Sequence, residues 1–143
     1  MTDRDPAAFE NDLIADMRAH DGVVTTGPLA GHPLLVMGSK GAKTGALRRA
    51  ILTFTRDGTD YVIAGSAGGA PANPSWVRNV QAHPDVTVEA EGRTFDATAS
   101  VAAGADRDRL WETHVAALPH FAEYPAQSGR VIPMVRLKPV ERR

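Results

Sequence analysis

The sequence predicts an α+β fold: a small antiparallel barrel of about six strands with helices over its ends. Three observations lead there. Short apolar and β-branched runs recur along the chain, most of them in neighbouring pairs. Two pairs are hinged at Asp57-Gly58 and Glu91-Gly92, dipeptides suited to tight hairpin turns. Helix signals are few, with one stretch at the N-terminus and two further on.

Taken in order, Asp5-Pro6 supplies an N-cap followed by a first-turn proline. Phe9, Leu13, Ile14 and Met17 follow at helical spacing, which predicts a helix over 6–19 ending near Asp21-Gly22. Its apolar stripe either packs on the body of the domain or meets a membrane or partner surface. Residues 22–33 are irregular, broken by Gly27-Pro28 and Gly31-His32-Pro33. A short strand follows over 34–37, and residues 50–56 and 60–64 flank the Asp57-Gly58 hinge. Asn73-Pro74 repeats the N-cap and proline signal, for a helix to about Ala82 that stops before Pro84. Residues 86–91 and 94–101 make a second antiparallel pair. A helix over 105–117 carries Leu110, Trp111 and Val115; Pro119 ends it, with Phe121 and Tyr124 in the loop beyond. The last strand is expected over 131–137.

At 143 residues the chain suits one domain, with the N-terminal helix over 1–21 and the barrel over 34–138. A formal net charge of −1 and ordinary hydrophobic content argue against disorder and against a general nucleic-acid binder. The absence of cysteine excludes disulfides, thiolate catalysis and cysteine–zinc sites, and suits a reducing cytosol. No apolar run approaches the roughly 20 residues of a membrane span. The start Thr2-Asp3-Arg4-Asp5 lacks the apolar core of a signal peptide. The expectation is a cytoplasmic protein, monomer or homodimer, whose N-terminal helix is the part able to touch the inner membrane face.

The chemistry gathers in residues 38–79. One glycine-punctuated loop is basic, with Lys40, Lys43, Arg48 and Arg49 and no acid over 40–49. The other, Ser66, Ala67, Gly68 and Gly69, is small and neutral. Alone, the first reads as a solvated face and the second as a tight turn. Facing each other across one site, they offer cations and open backbone N–H groups to an anion, which points to a phosphate-bearing ligand.

Other motifs fail on their spacing. Residues 38–44 lack the glycine that a P-loop places before its lysine, and β-rich 51–55 follows where a helix is required. Ala64 stands where a serine-hydrolase elbow needs glycine before Ser66. No G-x-G-x-x-G fingerprint is present. The five histidines show no ligand spacing, so surface or loop positions are expected and no metal. Trp76 and Trp111 stand at helical apolar positions and read first as core. A binding site without an evident nucleophile, base or metal is what remains when a cofactor carries the chemistry.

At these residues the chain resembles the deazaflavin-dependent nitroreductases, also called F420H2-dependent quinone reductases, of actinobacteria. The shared pattern is Gly41-x-Lys43-Thr44-Gly45-x-x-Arg48, Asp57-Gly58, Ser66 with Gly69, and Asn73-Pro74-x-Trp76-x-x-Asn79. Ala82-x-Pro84-x-Val86 and Arg130-x-Ile132-Pro133 extend it, so the resemblance spans about 34–138. It implies a split β-barrel of the FMN-binding type that holds coenzyme F420.

The resemblance assigns Lys43 and Arg48 to the cofactor phosphate, in the turn with Thr44 and Gly45. It lays the backbone of Ser66, Ala67, Gly68 and Gly69 along the deazaflavin or its phosphate, with Trp76 and Asn79 shaping the same wall. Lys40 and Arg49 would guide the acidic oligoglutamate tail. The implied reaction is hydride transfer from deazaflavin C5 to a quinone, enone or nitro compound. The departures lie on the substrate side: Ile51-Leu52 replaces the family's Pro-Leu, and Leu118, Phe121 and Tyr124 stand where the best-known nitroreductase has tyrosines. Only Tyr124 keeps a hydroxyl, as proton donor or substrate contact. A more apolar pocket favours quinones and enones over bulky nitroimidazoles. The alternatives are an FMN-binding oxidoreductase on the same barrel and a non-catalytic carrier of lipid or cofactor.

Overall fold

The structure, a computed structural model, describes residues 6–25, 31, 33–66 and 69–140. Helix α1 (Pro6–Ala19) leads into strands β1 (Leu34–Lys40), β2 (Leu47–Thr53), β3 (Thr55–Asp57) and β4 (Asp60–Ala64). Helix α2 (Ser75–Ala82) follows, then β5 (Asp85–Ala90), β6 (Arg93–Val101) and α3 (Gly104–Ala117). A 3-10 turn (Pro119–Glu123), α4 (Tyr124–Ser128) and β7 (Met134–Pro139) complete the described order. The strands form one sheet in the order β2-β1-β5-β6-β7-β4-β3, antiparallel throughout. It curls into a half-barrel, bringing β2 at one edge back beside β4 near the other. The expected α+β split barrel is what the chain forms.

Strand alternation sorts the core into layers. On β1, Leu35 and Met37 point into the barrel with Ile63, Val88, Val135 and Leu137, where α2 seats Trp76, Val77 and Val80. Leu34 and Val36 point outward and meet Ile14 and Met17 of α1 with Val24. β1 is therefore apolar on both faces, unlike a half-exposed strand. The α1 stripe packs on the domain; the Phe9 side chain, the Asp5 cap and the Gly27-Pro28 breaker lie outside the described residues. On the outside of β4, Val62 and Ala64 meet Leu110 of α3 with Leu118, Phe121, Ile132 and Met134. No helix among the described residues is long and apolar enough to cross a membrane.

Several boundaries differ from the sequence reading. The expected strand over 50–56 is two strands. Phe54 donates its N–H to Pro33 O at 3.0 Å, leaving the ladder, so β2 stays with β1 while β3 pairs with β4. There are thus seven strands among the described residues. β1 and β2 pair as far as Lys40 with Leu47, which puts Arg48 and Arg49 on a strand and not in the loop. Helix α2 begins at Ser75 with Pro74 at the cap and no side-chain capping bond. Phe121 lies in the 3-10 turn and Tyr124 opens α4, where a loop was expected. The last strand starts at Met134, because the carbonyls of Ile132 and Pro133 accept hydrogen bonds from Arg107 and from the N–H of Gly65.

His114 overturns the expectation that the histidines lie on the surface or in loops. Its side chain is wholly buried, at the middle of the Leu110, His114, Leu118 spacing along α3. Nδ1 lies 2.8 Å from Thr55 Oγ1, and Nε2 has no partner among the described residues. The ring meets Phe121 edge-on, with centroids 4.6 Å apart. Burial, then the neighbouring His120, push its pKa down to about 4, so the imidazole is neutral.

Candidate cofactor site

The six-residue turn over 41–46 joins β1 to β2 and is closed by its own backbone. Gly41 N–H donates to Ala46 O at 2.7 Å and Gly45 N–H to Gly41 O at 2.8 Å. Ala46 N–H donates to Thr44 Oγ1 at 3.2 Å, so this hydroxyl serves the turn. Helix α2 faces the turn across a gap, and Asn79 spans it. Its buried side chain accepts the N–H of Ala42 through Oδ1 at 3.0 Å, tying the turn to the helix.

Between the turn and the start of α2 lies a cleft of about 590 Å³, a size suited to a small-molecule ligand. Three cations line it, Lys43 and Arg48 from the turn side and Arg78 from α2, with no carboxylate. Among the described residues none of the three forms an ion pair. Lys40 and Arg49 do not line the cleft, and Arg49 donates through Nη2 to Asn11 Oδ1 at 2.8 Å. The expected basic loop thus divides, with two of its four cations turned to the cleft and two away from it.

Loop 65–73 runs from the end of β4 to the start of α2 and contributes Asn73 to the cleft lining. Two glycines make its course possible. A Cβ on Gly65 would stand 2.7 Å from Pro133 Cγ and 2.8 Å from Val77 Cγ2, so only glycine fits there. Gly69 has φ +87°, and a Cβ on it would stand 2.6 Å from Gln127 Oε1 and 3.2 Å from Tyr124 Cδ1. Gly69 N–H donates to Ser66 O at 2.9 Å, and Ser66 is buried. Ala67 and Gly68 lie outside the described residues.

Of the residues expected at the site, Lys43, Thr44, Arg48 and Asn79 come together on the cleft. Gly45, with φ +71°, shapes the turn from behind. Trp76 is turned into the barrel core, away from the cleft lining. Ser66 and Gly69 adjoin the site through loop 65–73. Leu118 and Phe121 are core residues at 7% and 5% exposure, and Tyr124 is half-buried where α4 meets Gly69.

The family model for F420H(2)-dependent quinone reductases matches residues 12–139. The chain belongs to this family. It is 34% identical over 131 residues to an F420H(2)-dependent quinone reductase of Mycobacterium tuberculosis, covering 85% of this chain and 88% of that one. A solved F420-H2 dependent reductase, FDR-A, is 34% identical with a TM-score of 0.68, over 74% of this chain and 94% of its own. A further solved relative, described as a domain-swapped dimer, is 28% identical with a TM-score of 0.71, over 94% of this chain and 100% of that one.

The sequence reading gave no site role to two residues of this family member. Arg78 sits inside α2 between apolar positions, and only the placement of α2 against the turn brings it to the cleft. Arg130 was visible in its Arg-x-Ile-Pro setting, but its partners lie 57 to 65 residues away in the chain.

Proposed function

We propose that this chain holds coenzyme F420, the cofactor of its family, in the cleft between the 41–46 turn and α2, and reduces small electron-poor acceptors, quinones first. The observation that carries the reading is the charge of the cleft: Lys43, Arg48 and Arg78 without a carboxylate. Assembling three like charges without compensation costs stability unless an anion joins them. F420 brings a phosphodiester and an acidic tail, which such donors fit.

In this reading Lys43 and Arg48 take the phosphate, and Arg78, further along α2, takes the carboxylates of the tail in place of Lys40 and Arg49. Asn79 holds the turn against α2, so both walls keep their spacing when the ligand arrives. Trp76 supports α2 from within the barrel and does not touch the ligand. Loop 65–73 presents its backbone along the ring system. The reduced deazaflavin, when bound, supplies the hydride.

Tyr124 adjoins Gly69, and its hydroxyl bonds no described residue, which supports it as the group that gives the acceptor its proton. The buried Phe121 ring and His120 pack against the tyrosine, centroids 5.1 and 6.1 Å away, an apolar setting that favours a flat apolar acceptor over a bulky polar one. A cytoplasmic location, with quinone met at the inner membrane face, belongs to the same proposal.

Titration of F420 and of FMN against tryptophan fluorescence, followed by menadione added to the reduced F420 complex, tests it. F420 is expected to quench and FMN not, with oxidised F420 recovered on adding menadione. Binding of FMN alone, or of neither, sinks the reading.

A further inference from the structure

We infer that Arg130 is the positioning residue for the cofactor cleft: it binds no ligand itself and sets the course of loop 65–73 from behind, an inference that rests on the proposed use of that cleft. The segment after α4 turns at Gly129, φ +67°, and delivers Arg130 under the loop. Nε donates to Ala70 O at 3.1 Å. Nη1 donates to Gly65 O at 3.0 Å and to Asn73 Oδ1, and Nη2 to Ser66 O at 3.0 Å and Ala72 O at 3.1 Å. A guanidinium has five N–H donors, and all five are used on this one loop.

Every acceptor is neutral, four of them main-chain carbonyls. Arg130 forms no ion pair among the described residues. A loop that contains Pro71 and leads into Pro74 has no strand ladder to satisfy its carbonyls, and one planar cation gathers them.

Three features bear on the cleft. Among the described residues of the loop, the N–H groups of Gly65 and Gly69 donate to Pro133 O and Ser66 O, while those of Ala70, Ala72 and Asn73 donate to no described residue; Asn73 lines the cleft, where its N–H suits an anion. Asn73 gives its side-chain oxygen to Arg130 instead of capping α2, fixing the residue where the loop enters the cleft lining. The guanidinium also adds positive charge behind the loop without spending a donor on the ligand. A lysine would keep that charge but has three donors around a point and no planar fork.

Arg130→Lys and Arg130→Ala, each as the full chain, separate these effects from mere folding. Wild type is expected to bind F420, with Arg130→Lys weaker by about tenfold or more, the scale of one lost charged hydrogen bond. The KM for reduced F420 should rise while the KM for menadione at saturating cofactor holds. Hydrogen exchange should quicken over 65–73 and not in the barrel strands. In Arg130→Ala, added guanidinium ion should restore part of the F420 affinity. Arg130→Lys binding F420 like wild type, or exchange over 65–73 unchanged, would overturn the inference alone. Wild type failing to bind F420 would overturn the cofactor reading and this inference with it.

Discussion

Arginines meet opposite fates at two places in this molecule. Where α3 and β7 flank the β3–β4 turn, Arg109 and Arg136 are locked among Asp57, Asp60 and Asp106. Arg109 grips both oxygens of Asp57 at 2.9 and 3.0 Å and reaches Asp106 at 2.9 Å. Arg136 reaches Asp57 at 2.5 Å, Asp60 at 3.0 Å and Asp106 at 3.1 Å. Arg109, then Arg136, hold the Asp57 carboxyl well below the usual carboxylate range. At the cleft, Lys43, Arg48 and Arg78 have no such partners among the described residues. Charge compensated inside the protein ties elements together. Charge left uncompensated over a cleft is available to something else. Arg130 is a third case, a cation spent wholly on carbonyls.

Removing the cleft cations has the largest expected effect. Lys43→Ala with Arg48→Ala is expected to weaken F420 binding at least about 100-fold, each charged hydrogen bond contributing about 1.5–3 kcal/mol. The melting temperature should hardly move, since neither side chain braces the fold. Unchanged affinity in fluorescence titration would remove the phosphate assignment.

On the α3 side, His114 makes a pH prediction. Its folded pKa of about 4 lies below its ordinary 6.5, so on acidification the unfolded chain takes up the proton first. Stability is therefore intact above pH 6.5 and drains away toward pH 4, by on the order of 3 kcal/mol in all. Urea unfolding at pH 7.5, 5.5 and 4.5 would show it, and His114→Gln should flatten the slope. A slope equal in both proteins would refute the assignment. Asp57 acts in a separate window: its lowered pKa contributes stability above the ordinary carboxylate value, lost only as pH falls below that.

Arg136→Met tests the compensated lattice itself. It leaves Asp57 and Asp106 with Arg109 alone, takes from Asp60 its contact with Arg136, and should cost about 1–2 kcal/mol, after discounting for partial exposure. F420 affinity should stay within about twofold, because the lattice carries no ligand. A large fall in affinity would show that the two regions are coupled. The smallest effect is expected for Arg78→Ala, about three- to fivefold in F420 affinity, as for an exposed ion pair. That loss should shrink as salt is raised. An effect indifferent to salt would mean that Arg78 does not meet an anion.

Local signals carried a large part of the fold into the sequence. The Asp57-Gly58 and Glu91-Gly92 hinges need positive φ, and Gly58, Glu91 and Gly92 adopt it at +61°, +53° and +77°. The apolar spacing of α1 and α3 and the prolines beside α2 placed three helices within a residue or two. A basic turn and a neutral glycine loop raised the expectation of an anionic ligand, and of the two it is the turn that lines the cleft. The hinge and helix signals involve residues a few positions apart, whose conformational preferences act without the rest of the chain.

Tertiary structure alone decided which of the cations reach the cleft. Arg48 and Arg49 are neighbours in sequence, yet one reaches the cleft and the other Asn11, because successive strand residues point to opposite faces. Arg136 finds Asp57 across 79 positions, and Arg130 finds Gly65 across 65. His114 looks like any histidine until α3 is laid against β3 and β4. Ion pairing and desolvation depend on distances between remote residues, and those distances exist only once the sheet has curled.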